Sequence, residues 1–294
     1  MKLTNKKRDA IAGYSFISIW IVGFIFLSAF PLLASFYYSF NEVIIDGQQG
    51  LVTTFTGFNN YVNAFTTDVE FLNALREYLV DIAVYLPLII IISMILAILL
   101  NQKIKGRGFF RSVYFLPVII SSGPVINELL SSGTGTLSAI SRSGMVENMQ
   151  ANLPVFLSEP IAIILSEMIV ILWFSGVQIV LFLAGLQKIN REIYEAAEID
   201  GASPWESFWK ITLPSLRPII LLASIYTIVT LSTFSNNTAL GIIREGMFAP
   251  LPKGFGYSSA LAWVYFLLVS AILGLVTVVI AKPWQNRLPK GGKR

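Results

Sequence analysis

Two runs of this chain mix rings with hydrogen-bonding side chains at helical spacing. Ile171, Phe174, Ser175 and Gln178 stand at i, i+3, i+4 and i+7, with Trp173 beside them. Thr230, Thr233, Phe234 and Asn237 repeat that spacing. Residues so spaced share one face of a helix. A face of this kind suits a sugar, whose CH faces stack on rings while its hydroxyls bond amides and hydroxyls. The same residues also suit helix–helix packing, because Ser and Thr join helices that lie in lipid. Group-transfer chemistry has no footing. The chain has 0 histidines and 0 cysteines, which excludes imidazole relays, disulfides, thiolate metal sites and Cys or Ser–His catalysis. No carboxylate pair sits in a hydrolytic context, so no catalytic residue and no metal ligand is assigned. No G-x-x-x-x-G-K-[ST] phosphate loop occurs, so any ATP must be bound by another chain. Glu167 and Glu128 fall within or near apolar runs. A membrane carboxylate can carry protons, which keeps open a proton-coupled secondary carrier; the other reading is a carboxylate facing water or a polar neighbour.

The elements that must position these residues are membrane helices. Of 294 residues 55% are hydrophobic and 13% charged, with a mean hydropathy of +0.70. Soluble domains carry about 25% charged residues. Six apolar spans are expected, at about 11–40, 74–100, 109–130, 161–186, 215–240 and 258–281, in a single all-α transmembrane domain. The first run is too long for a signal peptide and lacks a small-residue cleavage site, so it reads as a retained span. Pro31 should kink it; Pro87 lies inside the second, and Pro117 and Pro124 break the ladder of the third. The polar stretches 41–71, 131–160 and 241–257 read as external loops, the first with a short helix at FTGFNNYVNAF.

Lysine and arginine set the orientation. They gather in the basic head, in 101–111, around 188–217 and in the tail from Lys282, whereas Arg76, Arg142, Arg244 and Lys253 alone fall on the other side. Both termini and the segment 188–214 are therefore expected in the cytoplasm.

That segment contains EAAEIDGASPWESFWKITLP, Glu195 to Pro214, a charged stretch between apolar spans. Gly201 supplies a turn between two short helices. Ser203 and Pro204 open the second, with Glu206 placed for a capping box. Leu213-Pro214 is expected to end it. Trp205, Phe208, Trp209 and Ile211 give it more aromatic and apolar surface than a solvated loop carries unless something docks there. The alternative is an amphipathic loop lying on the membrane surface.

Glu195, Ala196, Ala197, Gly201, Ile211, Leu213 and Pro214 match the signature E-A-A, three residues, Gly, nine residues, I-x-L-P. By it the chain resembles the permease subunits of binding-protein-dependent ABC importers. Most of the chain resembles the carbohydrate-uptake branch, in particular the larger permease of maltose-type systems. The resemblance implies that this segment is the coupling helix, seated on an ATPase subunit; Trp205 and Phe208 are then expected to anchor it and Glu195 to pair with a basic group there. It implies these partners: a second similar permease, two ATP-binding subunits that hold ATP and Mg, and an extracytoplasmic solute-binding protein. It further implies a sugar substrate, membrane lipid around the chain, no nucleic acid, and a place in a bacterial inner membrane. No cofactor is expected in this chain. The residues opening the first paragraph align with positions that hold the sugar in maltose-type permeases. Asparagines and a tyrosine expected there read Ile171, Gln178, Thr230 and Thr233, which implies a sugar other than maltose. A membrane receptor or assembly factor without a transport role is the remaining alternative.

Overall fold

The computed structural model describes residues 5–46, 50–102, 154, 168–234, 237–249 and 253–281. The expected third span, the loop 131–160 apart from residue 154, Glu128, Glu167, Arg142 and the basic tail lie outside them. Among the described residues, four helices are long and apolar enough to cross a membrane, or five if one bent pair counts as a span. The chain divides into two compact units, one of residues 1–75 and 238–267, the other of 76–237 and 268–294.

In the first unit, α1 (Asn5–Phe24) runs through a π-helical turn (Ile25–Ala29) into α2 (Phe30–Tyr38). Pro31 explains the turn. It has no N–H to give to the carbonyl four residues back, and its ring presses on that group. The N–H of Phe30 instead reaches five residues back to Ile25 O. The predicted kink is thus a local widening. A two-stranded hairpin follows, β1 (Asn41–Asp46) antiparallel to β2 (Gly50–Phe55), with Val43 opposite Thr53. Helical periodicity did not anticipate it; β-branched Val43, Ile44, Ile45, Val52, Thr53 and Thr54 favour strand. The expected short helix is α3 (Asn59–Thr66).

Side-chain amides and hydroxyls stitch this unit together. Asn60 Nδ2 donates to Ser39 O at 3.0 Å and Asn41 O at 3.1 Å, and Tyr61 OH donates to Ser39 Oγ at 2.7 Å. Helix α4 (Val69–Asn101) starts where Asp68 Oδ1 accepts from Phe71 N at 3.0 Å. The stretch 241–257, read as a loop, opens inside α10 (Thr238–Met247). After it comes α11 (Phe255–Ala281). Tyr257 OH donates to Asp68 Oδ2 at 2.9 Å, and a Cβ on Gly256 would lie 1.9 Å from Asn41 O, so only glycine fits there.

In the second unit the lower part of α4 packs on α5 (Met168–Lys188) and α9 (Arg217–Ser232). Ala97, Leu100, Ile179, Phe182, Leu183, Leu186, Leu216 and Ala223 form its main buried cluster. A second cluster joins Ile89, Ile171 and Phe174. Between α5 and α9 stands the expected polar hairpin: α6 (Arg191–Ile199), α7 (Pro204–Ser207), a π turn (Phe208–Thr212) and α8 (Leu213–Ser215).

Candidate functional site

The hairpin is built from local signals that all agree. Asn190 caps α6, its side chain accepting from Glu192 N at 3.2 Å. The helix ends in a left-handed turn at Gly201, φ +82°. Ala202 N donates to Ala197 O at 2.9 Å and Gly201 N to Glu198 O at 3.0 Å, the paired bonds of a Schellman C-cap. Ser203 then caps α7, its hydroxyl accepting from Glu206 N at 3.2 Å while Glu206 Oε2 accepts from Ser203 N at 3.0 Å. This reciprocal capping is the reason Glu206 holds its carboxyl below the ordinary carboxylate value: the Ser203 N–H comes first, then the Ser203 hydroxyl, then Lys210.

Leu213-Pro214 does not end the second helix. The chain continues through Ser215 and bends only at Leu216, by 63° between Pro204–Ser215 and Arg217–Ser232. Pro214 acts as Pro31 does. The N–H of Leu213 reaches five residues back to Phe208 O, producing the π turn.

The hairpin leaves apolar surface uncovered. Ile199 is 87% exposed, Trp205 69% and Trp209 47%. Trp205 stacks on Phe208 with centroids 6.3 Å apart, and Trp209 meets Phe208 edge-on at 5.2 Å, so the rings form one rigid group. Ala196 is exposed, and Ala197 and Ile211 are half-buried. Glu195 pairs within the chain, with Arg191 at 3.1 Å, across an exposed surface. Such a pair is worth at most about 1 kcal/mol and is readily exchanged for another partner. Tyr194 OH and Thr212 Oγ1 lie 2.7 Å apart and clasp the two arms of the hairpin. A cleft of about 510 Å³ opens between the end of α4 and the hairpin, reaching Asn101, Tyr194, Glu198, Ser207 and Phe208.

The membrane residues fall into two groups. On α5, Ile171, Phe174, Ser175 and Gln178 are buried, on the face that meets α4 and α9. Ser175 Oγ donates to Leu172 O at 2.7 Å, and Ser93 Oγ donates to Ser175 O at 3.4 Å. Gln178 Nε2 donates to Thr227 Oγ1 at 2.7 Å, while Gln178 Oε1 and the neighbouring Trp173 Nε1 are buried without a hydrogen-bond partner among the described residues. At the end of α9, Thr230 is half-buried and the C-cap Thr233 exposed, and each donates back to the helix, to Tyr226 O at 2.8 Å and Val229 O at 2.9 Å. Phe234 leaves that face and meets Phe174 edge-on at 5.0 Å.

The single helix face expected for Thr230, Thr233, Phe234 and Asn237 therefore does not exist. The α9 helix stops at Ser232, and Phe234 and Asn237 follow it in coil. Thr230, Ser232 and Thr233 each donate to a carbonyl four residues back, bonds that slightly destabilise a helix.

A family model described as "Binding-protein-dependent transport system inner membrane component" matches residues 69–288. The chain belongs to this family. It is a multi-pass membrane protein of helical fold. The chain is 28% identical over 297 residues to the probable ABC transporter permease protein YesP of Bacillus subtilis, covering 96% of this chain and 93% of the relative. It is 29% identical over 289 residues to the multiple sugar-binding transport system permease protein MsmF of Streptococcus mutans, covering 92% and 94%. The lactose transport system permease protein LacF of Rhizobium radiobacter is 28% identical over 285 residues, covering 91% and 93%. Among solved structures, a chain of a bacterial ABC transporter that imports the acidic polysaccharide alginate superposes with a TM-score of 0.65. It is 18% identical and covers 95% of this chain and 97% of that one. That likeness establishes the shared fold.

For this family member, sequence reasoning missed three contacts. Tyr194 and Thr212 carry no motif that marks them as partners. A Cβ on Gly185 would lie 2.9 Å from both Leu216 Cδ2 and Ile219 Cγ1, so the bend is seated on a glycine of α5. A lone small residue in an apolar span is the usual sign of such close approach. Arg217 at the bend donates from Nε to Ile280 O near the end of α11.

Proposed function

We propose that this chain is one permease subunit of an ATP-driven importer that moves a sugar or oligosaccharide delivered by an external solute-binding protein. It pairs with a second, similar permease and docks two ATP-binding subunits, which hold ATP and Mg. It is not itself an enzyme, and it carries no cofactor. The observation that carries this reading is the hairpin after α5: a doubly capped, polar segment that presents Ile199, Trp205 and Trp209 to the outside. Its docking side is cytoplasmic, as are both termini, because lysine and arginine gather there.

Glu195, Ala196, Ala197, Gly201, Trp205, Phe208, Ile211, Leu213 and Pro214 couple the permease to the ATPase. Trp205 and Phe208 anchor it, Gly201 and Pro214 set its shape, and Glu195 exchanges Arg191 for a basic group on the partner. Closure of the ATPase dimer moves the hairpins together and opens the outer side; hydrolysis resets it. The sugar assignment rests on the relatives, whose names specify multiple sugars and lactose.

For the solute, the half-buried Thr230 and the exposed Thr233 offer hydroxyls. Gln178 Oε1 and Trp173 Nε1, without partners among the described residues, offer an acceptor and a donor that a sugar hydroxyl would satisfy. Phe174, Phe234, Ile171, Ser175 and Asn237 complete the candidate path. The test is uptake by the complete complex in proteoliposomes. It should require Mg-ATP and survive a protonophore, and Gln178→Ala should lower uptake more than assembly. Uptake driven by a proton gradient without ATP would overturn the reading.

A further inference from the structure

The bend at Leu216 is held at two points. Leu216 is fully buried in the α4–α5–α9 cluster and seated over Gly185. Arg217, the next residue, is half-buried and donates from Nε to Ile280 O, 63 residues further along. Ile280 is one of the last four residues of α11. The last four carbonyls of a helix have no partner within it, and the negative end of the helix dipole attracts a cation. A guanidinium is costly to hold near apolar helices unless it is paired, so its position on this carbonyl is a specific one.

We infer that Arg217 is a positioning residue that ties the bend of the coupling hairpin to the end of α11, so that one movement of the hairpin carries two membrane helices. The inference rests on the coupling role proposed above. Helix α9 follows the hairpin because the backbone is continuous through a rigid bend. Helix α11 has no such backbone link to it; the bond from Arg217 to Ile280 O joins them. Lysine has the charge but not the planar fork, and glutamine keeps a donor without the charge.

The test uses the complete complex with spin labels at Ser215 and Ala281, both exposed. The distance between them is measured without nucleotide and after trapping with Mg-ATP and vanadate. In the wild type the distance should be the same in both states. In Arg217→Gln it should differ between states and spread widely, since loss of a charge-assisted bond shifts the tethered population by about tenfold. ATP hydrolysis in that variant should continue while its stimulation by the solute-binding protein falls. A wild-type distance that changes on trapping overturns the inference. So does an Arg217→Gln complex that behaves as the wild type. If Arg217→Gln does not assemble, the wild-type comparison decides alone. A wild-type complex that neither binds nor hydrolyses ATP would instead defeat the coupling role on which the inference rests.

Discussion

Gly201→Val should uncouple ATP hydrolysis from uptake without unfolding the permease. The magnitude comes from the backbone alone. Gly201 has φ +82°, and a Cβ placed there meets nothing within 4 Å, so the substitution produces no clash. What it costs is the left-handed conformation, roughly 1–2 kcal/mol for an L-residue. That is roughly a 5- to 30-fold shift away from the turned state. In that state Ala202 N and Gly201 N close α6, and Ser203 is set to cap α7. Losing it swings Trp205 and Phe208 away from the anchoring position. Asparagine tolerates the left-handed region better than other residues with a Cβ, so Gly201→Asn should lie near the wild type, with alanine between. The assay is uptake per ATP hydrolysed by complexes in proteoliposomes, with a panel of labelled di- and oligosaccharides. Equal losses for asparagine and valine would show that φ is not the operative variable, and a valine variant with the wild-type ratio would refute the coupling role of the turn.

Three further outcomes are expected. Gly185→Leu should lower the yield and thermal stability of the permease, because Leu216 and Ile219 leave no room for even a Cβ; overpacking costs about 1–3 kcal/mol, and a fluorescence-detected melting curve reads it. Tyr194→Phe should remove the clasp to Thr212 at about 1 kcal/mol, seen as faster hydrogen exchange in α6 and the π turn with unchanged exchange in α4; Thr212 keeps its bond to Ser207 O, so the arms loosen rather than separate. The capping box should respond to acid. Glu206 has a lowered pKa in the folded hairpin, so its contribution is complete above the ordinary value of 4.5 and is lost as pH falls through the lower folded value. Fluorotryptophan resonances of Trp205 and Trp209 should therefore shift below that pH in the wild type and stay flat in Glu206→Gln.

The hairpin was the most legible part of the chain because its signals are local. Glycine at a turn, serine and proline at a helix start and glutamate three residues on each act on neighbouring backbone groups, and the structure has them so. The spans were legible as apolar runs, but their ends were not. The fifth span was drawn through 240, whereas α9 ends at Ser232 and a polar run from Thr233 to Thr238 follows, so the second candidate solute face was drawn too long. The β1–β2 hairpin went unseen because cross-strand pairs between residues such as Glu42 and Thr54 leave no helical period to read. Proline read as a helix stop at Pro214, whereas a π turn absorbs the missing bond. Contacts between distant residues, Arg217 to Ile280 and Gln178 to Thr227, depend on how helices pack, and no spacing rule reports that.

The central claim is that the hairpin between α5 and α9 receives its motion from a separate ATP-binding subunit. Replacing Trp205 by a photo-crosslinking amino acid in the intact complex, within inner-membrane vesicles, tests it directly. A crosslinked product containing the ATP-binding subunit is predicted. A residue at that position that reacts with a membrane-impermeant reagent from outside intact cells, or that crosslinks to no other polypeptide, would contradict it.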